Sequence, residues 1–242
     1  MTPRQQRMEI QRADILQAAA KLIAERGFHG MSMRDLANAT GFGVSSLYNY
    51  FASKEELLAE LQVRAFETLL ASASDSAQGS TDAATRLYVF ISNQVRYFID
   101  HADVMRVLIH EAAALPAEHR QRVRSLKEAY FRVGREHVAA VFASGCGTEE
   151  TTPRLPKSVQ SPVDAVALDR ATYSIFGMIN WVWAWYEPEL HGTPDDVARS
   201  IHSLAVCGLV TRCPASPNAE QLPQSLGLRQ VSLLLNRQTG TD

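Results

Sequence analysis

Apolar residues recur along this chain at helical spacing, and no alternation with a period of two is long enough to propose a sheet. Ile15, Ala19, Leu22 and Ile23 follow the i, i+4, i+7, i+8 pattern of one buried face, so a helix is expected over 12–26. Gly27 closes it, and Phe28 can tuck beneath the short helices after it. Residues 1–11 lack an apolar face and read as a mobile, mildly basic arm. A long helix is expected over 53–73, then a small, polar loop over 74–82. Further helices are expected over 83–101 (capped by Thr81 or Asp82), 104–114 and 116–144, the last opened by Pro116. Residues 145–162, rich in Gly, Pro, Thr and Ser, read as an exposed loop. Helices over 164–188 and 194–210 come next, then a Pro-containing tail that reads equally as a short docking helix, a strand or loose chain.

The densest local signals lie between Ser32 and Glu56. Ser32 is a candidate N-cap, with Asp35 three residues on to close a variant capping box. Gly41 can end that short helix in a left-handed conformation. Gly43 then caps a second, Val44 to Tyr50, and Ser53 with Glu56 opens a third. Two short helices joined by a glycine-containing turn make a helix-turn-helix, whose second helix meets base edges in the major groove. Here the meeting residues would be Gly43, Val44, Ser45, Ser46, Tyr48 and Asn49, all small or able to hydrogen-bond, with Leu47 and Phe51 facing inward. Lys54, in the first turn of the next helix, is placed for a phosphate. The same spacing also suits an all-α protein in which Tyr48 and Tyr50 only pack and Lys54 is an ordinary solvated lysine.

The run Leu47-Tyr48-Asn49-Tyr50-Phe51, followed by Ser53-Lys54-Glu55-Glu56-Leu57-Leu58, resembles the signature of the TetR family of bacterial transcription regulators. Ile15-Leu16, Ala18-Ala19, Ala24-Glu25-Arg26-Gly27-Phe28 and Ser32-Met33-Arg34-Asp35-Leu36-Ala37 agree with it, so the resemblance covers residues 12–61. By position it implies phosphate contacts from Tyr48, Tyr50 and Lys54, and groove-facing positions at Ser32, Val44, Ser45, Ser46 and Asn49. The family usually has a serine or threonine where Gly43 stands and often a polar or basic residue at Val44, so the operator sequence is not legible. The implied fold is all-α: an N-terminal three-helix helix-turn-helix head (1–60), a larger helical ligand-binding and dimerisation domain (61–212) and a tail (213–242).

Charge sharpens this expectation. The 242-residue chain has a net charge of −2, so DNA binding needs a local basic surface, for which Arg4, Arg7, Arg12, Arg34 and Lys54 are available. Cys146, Cys207 and Cys213 are odd in number and lack metal spacing, which suits a reducing cytoplasm and no disulfide framework. No export signal is visible, and the apolar run Tyr173–Tyr186 is too short to span a bilayer, so no membrane role is expected. The histidines are dispersed, and no nucleophile elbow, zinc-protease motif or Gly-rich phosphate loop occurs. No cofactor, metal or enzymatic activity is expected.

The second informative stretch is 164–188. Tyr173, Phe176, Asn180 and Trp183 share one helical stripe, and Met178, Trp181 and Trp185 share the next. A helix apolar almost all round is buried on several sides, one facing a ligand cavity and another a partner subunit. With Val197, Ile201, Leu204 and Ala205 of the following helix it can form half of a four-helix homodimer interface. Plain core packing is the first alternative for each aromatic, and the Asn180 amide is open to a ligand or a neighbouring backbone group. The setting Gly177-Met178-Ile179-Asn180-Trp181 and Trp185-Tyr186-Glu187-Pro188 resembles TetR-type regulators that respond to acyl-CoA thioesters. That resemblance implies a bulky, partly apolar ligand, for which Tyr173, Asn180 and Trp181 of the two stripes are the candidate contacts; if it is a CoA, Arg106, Lys127, Arg132 and Arg135 are available to its phosphates. The expected function is a homodimeric repressor, released from double-stranded operator DNA by a small, partly apolar effector such as an acyl-CoA. Two other readings stay open: a DNA-binding structural or cell-cycle protein of the same fold without an effector, and a helical enzyme or interaction module whose head only packs.

Overall fold

A computed structural model describes residues 2–75, 82–144 and 165–210, and every regular element among them is helical. The first, α1 (Pro3–Gly30), begins nine residues earlier than the apolar pattern predicts, so the expected mobile arm is helix instead. Thr2 caps it in a capping box with Gln5, and Pro3 takes the first position, where no intrahelical N–H is needed. This extension has no buried face; it is tied down by the ion pair of Glu9 with Arg64, and just past its end by that of Arg12 with Glu60, to a helix some fifty residues away. Gly27, at φ 72° and ψ 160°, breaks the helix, so Phe28–Gly30 form a separate turn.

The head continues with α2 (Met33–Thr40) and α3 (Val44–Tyr48). α3 stops two residues short of the expected Tyr50: Asn49 N–H donates to Ser46 O at 3.1 Å and Tyr50 N–H to Leu47 O at 2.9 Å, which tightens the last turn. α4 (Lys54–Asp75) is continuous across the expected boundary at residue 60 and packs on α7 (Ala117–Ser144). Between them lie α5 (Ala83–Asp100), capped by Asp82, and α6 (Ala102–His110), followed by a 3₁₀ turn at Ala112–Ala114. α4 runs two residues past its expected end at 73, so Ser74 and Asp75 of the expected loop over 74–82 are helical. Residues 76–81 of that loop, the expected loop at 145–162 and the tail at 213–242 lie outside the described residues, as do Thr81, Cys146 and Cys213.

The expected single helix over 164–188 is broken. α8 (Ala165–Asn180) ends at Trp181, α9 (Val182–Trp185) comes next, and α10 (Pro188–His191) precedes α11 (Pro194–Val210). The break turns Val182 fully inside and carries α9 onto α5 and α6, while Trp181 and Trp185 stay outside. The body core is an aromatic cluster: Tyr130 stands edge-on to Phe176 with centroids 5.1 Å apart, and Phe90 lies 5.9 Å from Phe176. Burying each phenylalanine contributes up to about 3 kcal/mol. Gly134 is required here, because a Cβ at that position would stand 2.5 Å from the Phe176 ring.

Head and body meet at the end of α6. The Glu111 carboxylate accepts the Phe28 N–H at 3.0 Å, and the Glu111 carbonyl accepts Gln62 Nε2 of α4 at 3.4 Å. One residue therefore touches both the tail of α1 and the middle of α4.

Candidate functional site

The helix-turn-helix is built as its caps require. Asp35 N–H donates to Ser32 Oγ at 3.1 Å, and Ser32 N–H returns to Asp35 Oδ2 at 2.9 Å. The Ser32 hydrogen bonds hold the Asp35 carboxyl below the usual carboxylate range. Gly41, at φ 72°, ends α2, and Gly43, extended, caps α3. Leu47 and Phe51 are fully buried, and the Arg12 guanidinium lies 4.7 Å above the Phe51 ring. These anchors leave one face of α3 outside: Gly43, Val44, Ser45, Tyr48 and Asn49 are exposed and Ser46 is half-buried. No side chain larger than valine precedes Leu47 on α3, so another backbone can approach closely.

The expected phosphate contacts divide. Tyr48 is 49% exposed. Tyr50, by contrast, donates its hydroxyl to Gln11 Oε1 at 2.8 Å and packs edge-on to Phe42. Lys54 donates to the Met31 carbonyl at 2.6 Å with its ammonium 4.4 Å from the centre of the Phe28 ring, so it braces the head and keeps two N–H groups for other partners. Arg12 is engaged by Glu60, which removes it from the expected free basic surface; Arg4, Arg7 and Arg34 are exposed. The roles of Gln11 and Glu60 as partners carry no local sequence signal, since 39 and 48 residues separate the members of these pairs.

The three residues expected to hold a ligand do not surround one enclosed space. Tyr173 is 64% exposed and stacks on Phe131 at 4.5 Å. Trp181 lines an open groove of about 680 Å³ between α8 and α11, with Gly177, Trp185 and Leu204. Asn180 is half-buried. Among the expected CoA-phosphate partners, Arg135 is paired with Asp169 and Arg106 lies over the Trp183 ring, whereas Lys127 and Arg132 are exposed. Two smaller cavities lie where head and body meet: about 440 Å³ between α1, α6 and Trp183, and about 220 Å³ between α1, α4, α5 and α6. Among the described residues no cluster of His, Cys, Asp and Glu could hold a metal ion, and no helix is long and apolar enough to cross a membrane.

Comparison with known proteins assigns both halves. Residues 15–61 match the model of bacterial regulatory proteins of the tetR family, and residues 80–156 match the tetracyclin repressor-like C-terminal domain, together about half of the chain. The transcriptional repressor KstR2 of Mycobacterium tuberculosis is 37% identical over 76 residues, which cover 31% of this chain and 38% of that relative's length. KstR2 of Rhodococcus jostii is 25% identical over 201 residues, 83% of this chain and 91% of the relative. The TetR-family regulator PfmR from Thermus thermophilus superposes with a TM-score of 0.66 at 27% identity, covering 81% of this chain and 98% of that one. AibR, solved in complex with isovaleryl coenzyme A and operator DNA, shares the fold with a TM-score of 0.63 at 22% identity, over 80% and 97% of the two chains. With both its helix-turn-helix head and its helical body matched, the chain belongs to the TetR family of bacterial regulatory proteins.

Proposed function

We propose that the chain is a homodimeric, ligand-responsive transcriptional repressor that binds double-stranded operator DNA through α3. The observation that carries this reading is the polar outer face of α3, held rigidly by the buried Leu47 and Phe51. Val44, Ser45, Ser46 and Asn49 face base edges, with Ser32 at the groove margin. Tyr48, Arg34 and the remaining donors of Lys54 meet phosphates. Arg4 and Arg7 lend local positive charge, which a net charge of −2 requires. KstR2 as a repressor, and AibR with operator DNA, support this assignment. A cytoplasmic location accompanies it.

The dimer forms through the groove face of α8 and α11, which in the single chain leaves Trp181 52% and Leu204 66% exposed. Two copies of this face make a four-helix interface, and they set the two α3 helices about 34–36 Å apart, one DNA turn. The effector is small and partly apolar, of the acyl-CoA thioester class, as in the AibR complex. Its binding in the body shifts α4 and α6, and Glu111, which holds both Phe28 and Gln62, passes that shift to the head. Coupling by such a route is typically about 1–3 kcal/mol and acts in both directions.

The test is a salt titration of binding to the intergenic DNA upstream of the chain's own gene, with and without a panel of acyl-CoA thioesters. The expected result is specific binding, steeply weakened by salt, that one thioester releases. Specific binding released by none would discard the effector class. Absence of specific binding there and in a genome-wide selection would overturn the DNA-binding reading.

A further inference from the structure

Gln94 is a buried polar group that the fold leaves incomplete. It stands in α5 with 0% exposure, and its Oε1 accepts the Tyr130 hydroxyl at 3.0 Å. Its Nε2 is buried and has no hydrogen-bond partner. A carboxamide NH₂ carries two donors, and a buried one without acceptors is uncommon enough to require an explanation. Exchanging the amide O and N does not remove the problem, because the carbonyl would then be bare and Tyr130 would have to accept. The surroundings are apolar: the Tyr130 ring lies 6.3 Å from Phe90 and 5.1 Å from Phe176. Burial raises the Tyr130 pKa, so this hydroxyl stays a neutral donor and cannot satisfy Nε2 as a phenolate.

One turn further along α5, Tyr97 forms part of the wall of the open 220 Å³ pocket, with apolar Leu16, Leu61 and Val104 and polar Gln17, Thr68 and His101. Tyr97 stands three residues after Gln94, on the same side of α5, so the pocket wall and the incomplete amide are neighbours along one helix face. Arg64, the cation at that cavity, is already engaged by Glu9 and Glu60. Gln94 itself offers an uncharged donor with no cation bonded beside it, which suits a neutral carbonyl oxygen better than a carboxylate.

We propose that Gln94 reads the effector: its Nε2 donates to the carbonyl of an acyl thioester or ketone whose chain enters beside Tyr97. The assignment rests on the ligand-responsive reading above and adds the residue and the chemical group recognised. Gln94 is not among the residues that line this pocket, so the contact is completed only in the liganded protein.

The test uses the full-length dimer with three probes of matched chain length: octanoyl-CoA, octanoate and 2-nonanone. Calorimetric titration should give binding of the thioester, the ketone or both, at least about tenfold tighter than the free acid. Binding by the ketone alone would place the source outside CoA chemistry while keeping the carbonyl contact. The double variant Gln94→Leu with Tyr130→Phe removes both members of the pair, so it should keep or raise Tm yet weaken carbonyl binding about tenfold or more. Tyr130→Phe alone keeps the donor and should weaken it less. Unchanged ligand affinity in the double variant, or octanoate binding as tightly as the carbonyl probes, would overturn the assignment while leaving the regulator intact. If the wild-type dimer binds operator but none of the probes, the effector class fails, and Tm still judges Gln94: a large drop in the double variant would mean that the donor is already satisfied, and a rise would support an empty one.

Discussion

The Glu111 carboxylate holds the backbone N–H of Phe28 at 3.0 Å across 83 residues of chain. It acts at the point where Gly27 has broken α1, so the helix cannot satisfy that N–H itself. Replacing Glu111 by Ala leaves the donor bare and should cost about 1–2 kcal/mol in urea unfolding. Glu111→Gln keeps an accepting oxygen and should lose less. Amide hydrogen exchange at Phe28 should speed up in the alanine variant and not in the glutamine one; equal protection in both would remove Glu111 from the joint.

Tyr48 and Lys54 separate by what else they do. Tyr48 is exposed, so Tyr48→Phe should weaken binding to all DNA sequences with Tm unchanged. Lys54 braces Met31 and Phe28, so Lys54→Ala should weaken DNA binding and also lower stability by about 1–2 kcal/mol. Only the lysine variant should flatten the salt dependence, by about one released counterion. Parallel salt titrations and melts of the two variants decide this.

An aspartate at Leu204 or Trp181 places a charge in the apolar groove between α8 and α11. Each should raise the dimer dissociation constant about thirtyfold or more, with helix content retained, because a central interface position is worth about 2 kcal/mol or more. Sedimentation velocity over a concentration series measures this. A dimer indifferent to both would move the subunit interface elsewhere.

His137 supplies a pH dependence. Burial lowers its pKa, against the opposing pull of the Ala73 carbonyl 3.3 Å away, and the Arg86 charge lowers it further. As pH falls through the ordinary value of 6.5, the unfolded chain takes up a proton that the folded chain still refuses. The contribution is therefore full above that value and is lost on the way down towards the folded pKa. The wild-type Tm should fall between about pH 7 and pH 5, and His137→Gln should flatten that slope.

The parts of this fold that are legible in the sequence are those decided locally. Ser32 with Asp35, Gly41 at the turn and the inward pair Leu47 and Phe51 each act within a few residues, and each stands where its chemistry predicts. The start of α1 is not legible from periodicity, because Glu9 and Arg12 are held by partners on α4 and bury no face. The break at Trp181 is hidden for a related reason: tertiary packing of Val182 against α5 and α6 decides it, not a glycine or proline. In the candidate site, position does not reveal commitment. Tyr48 and Tyr50 look alike in sequence, yet one hydroxyl is outside and the other is bound to Gln11. The aromatic stripe of α8 cannot be divided between cavity and subunit face by composition, because both environments select the same residues.

The chain's tryptophans, Trp181, Trp183 and Trp185, all lie in the break between α8 and α10, and none is in the head. Two are exposed beside the groove, and the third lies beneath the Arg106 guanidinium with its Nε1 buried. Intrinsic indole emission from the unmodified protein is thus a single-region reporter. Covering the groove shifts it to the blue, and movement of α6 changes the field that the Arg106 charge places on the Trp183 ring and hence its emission wavelength. DNA docking at α3 leaves it silent unless the signal crosses the protein, so long-range coupling can be watched without a label.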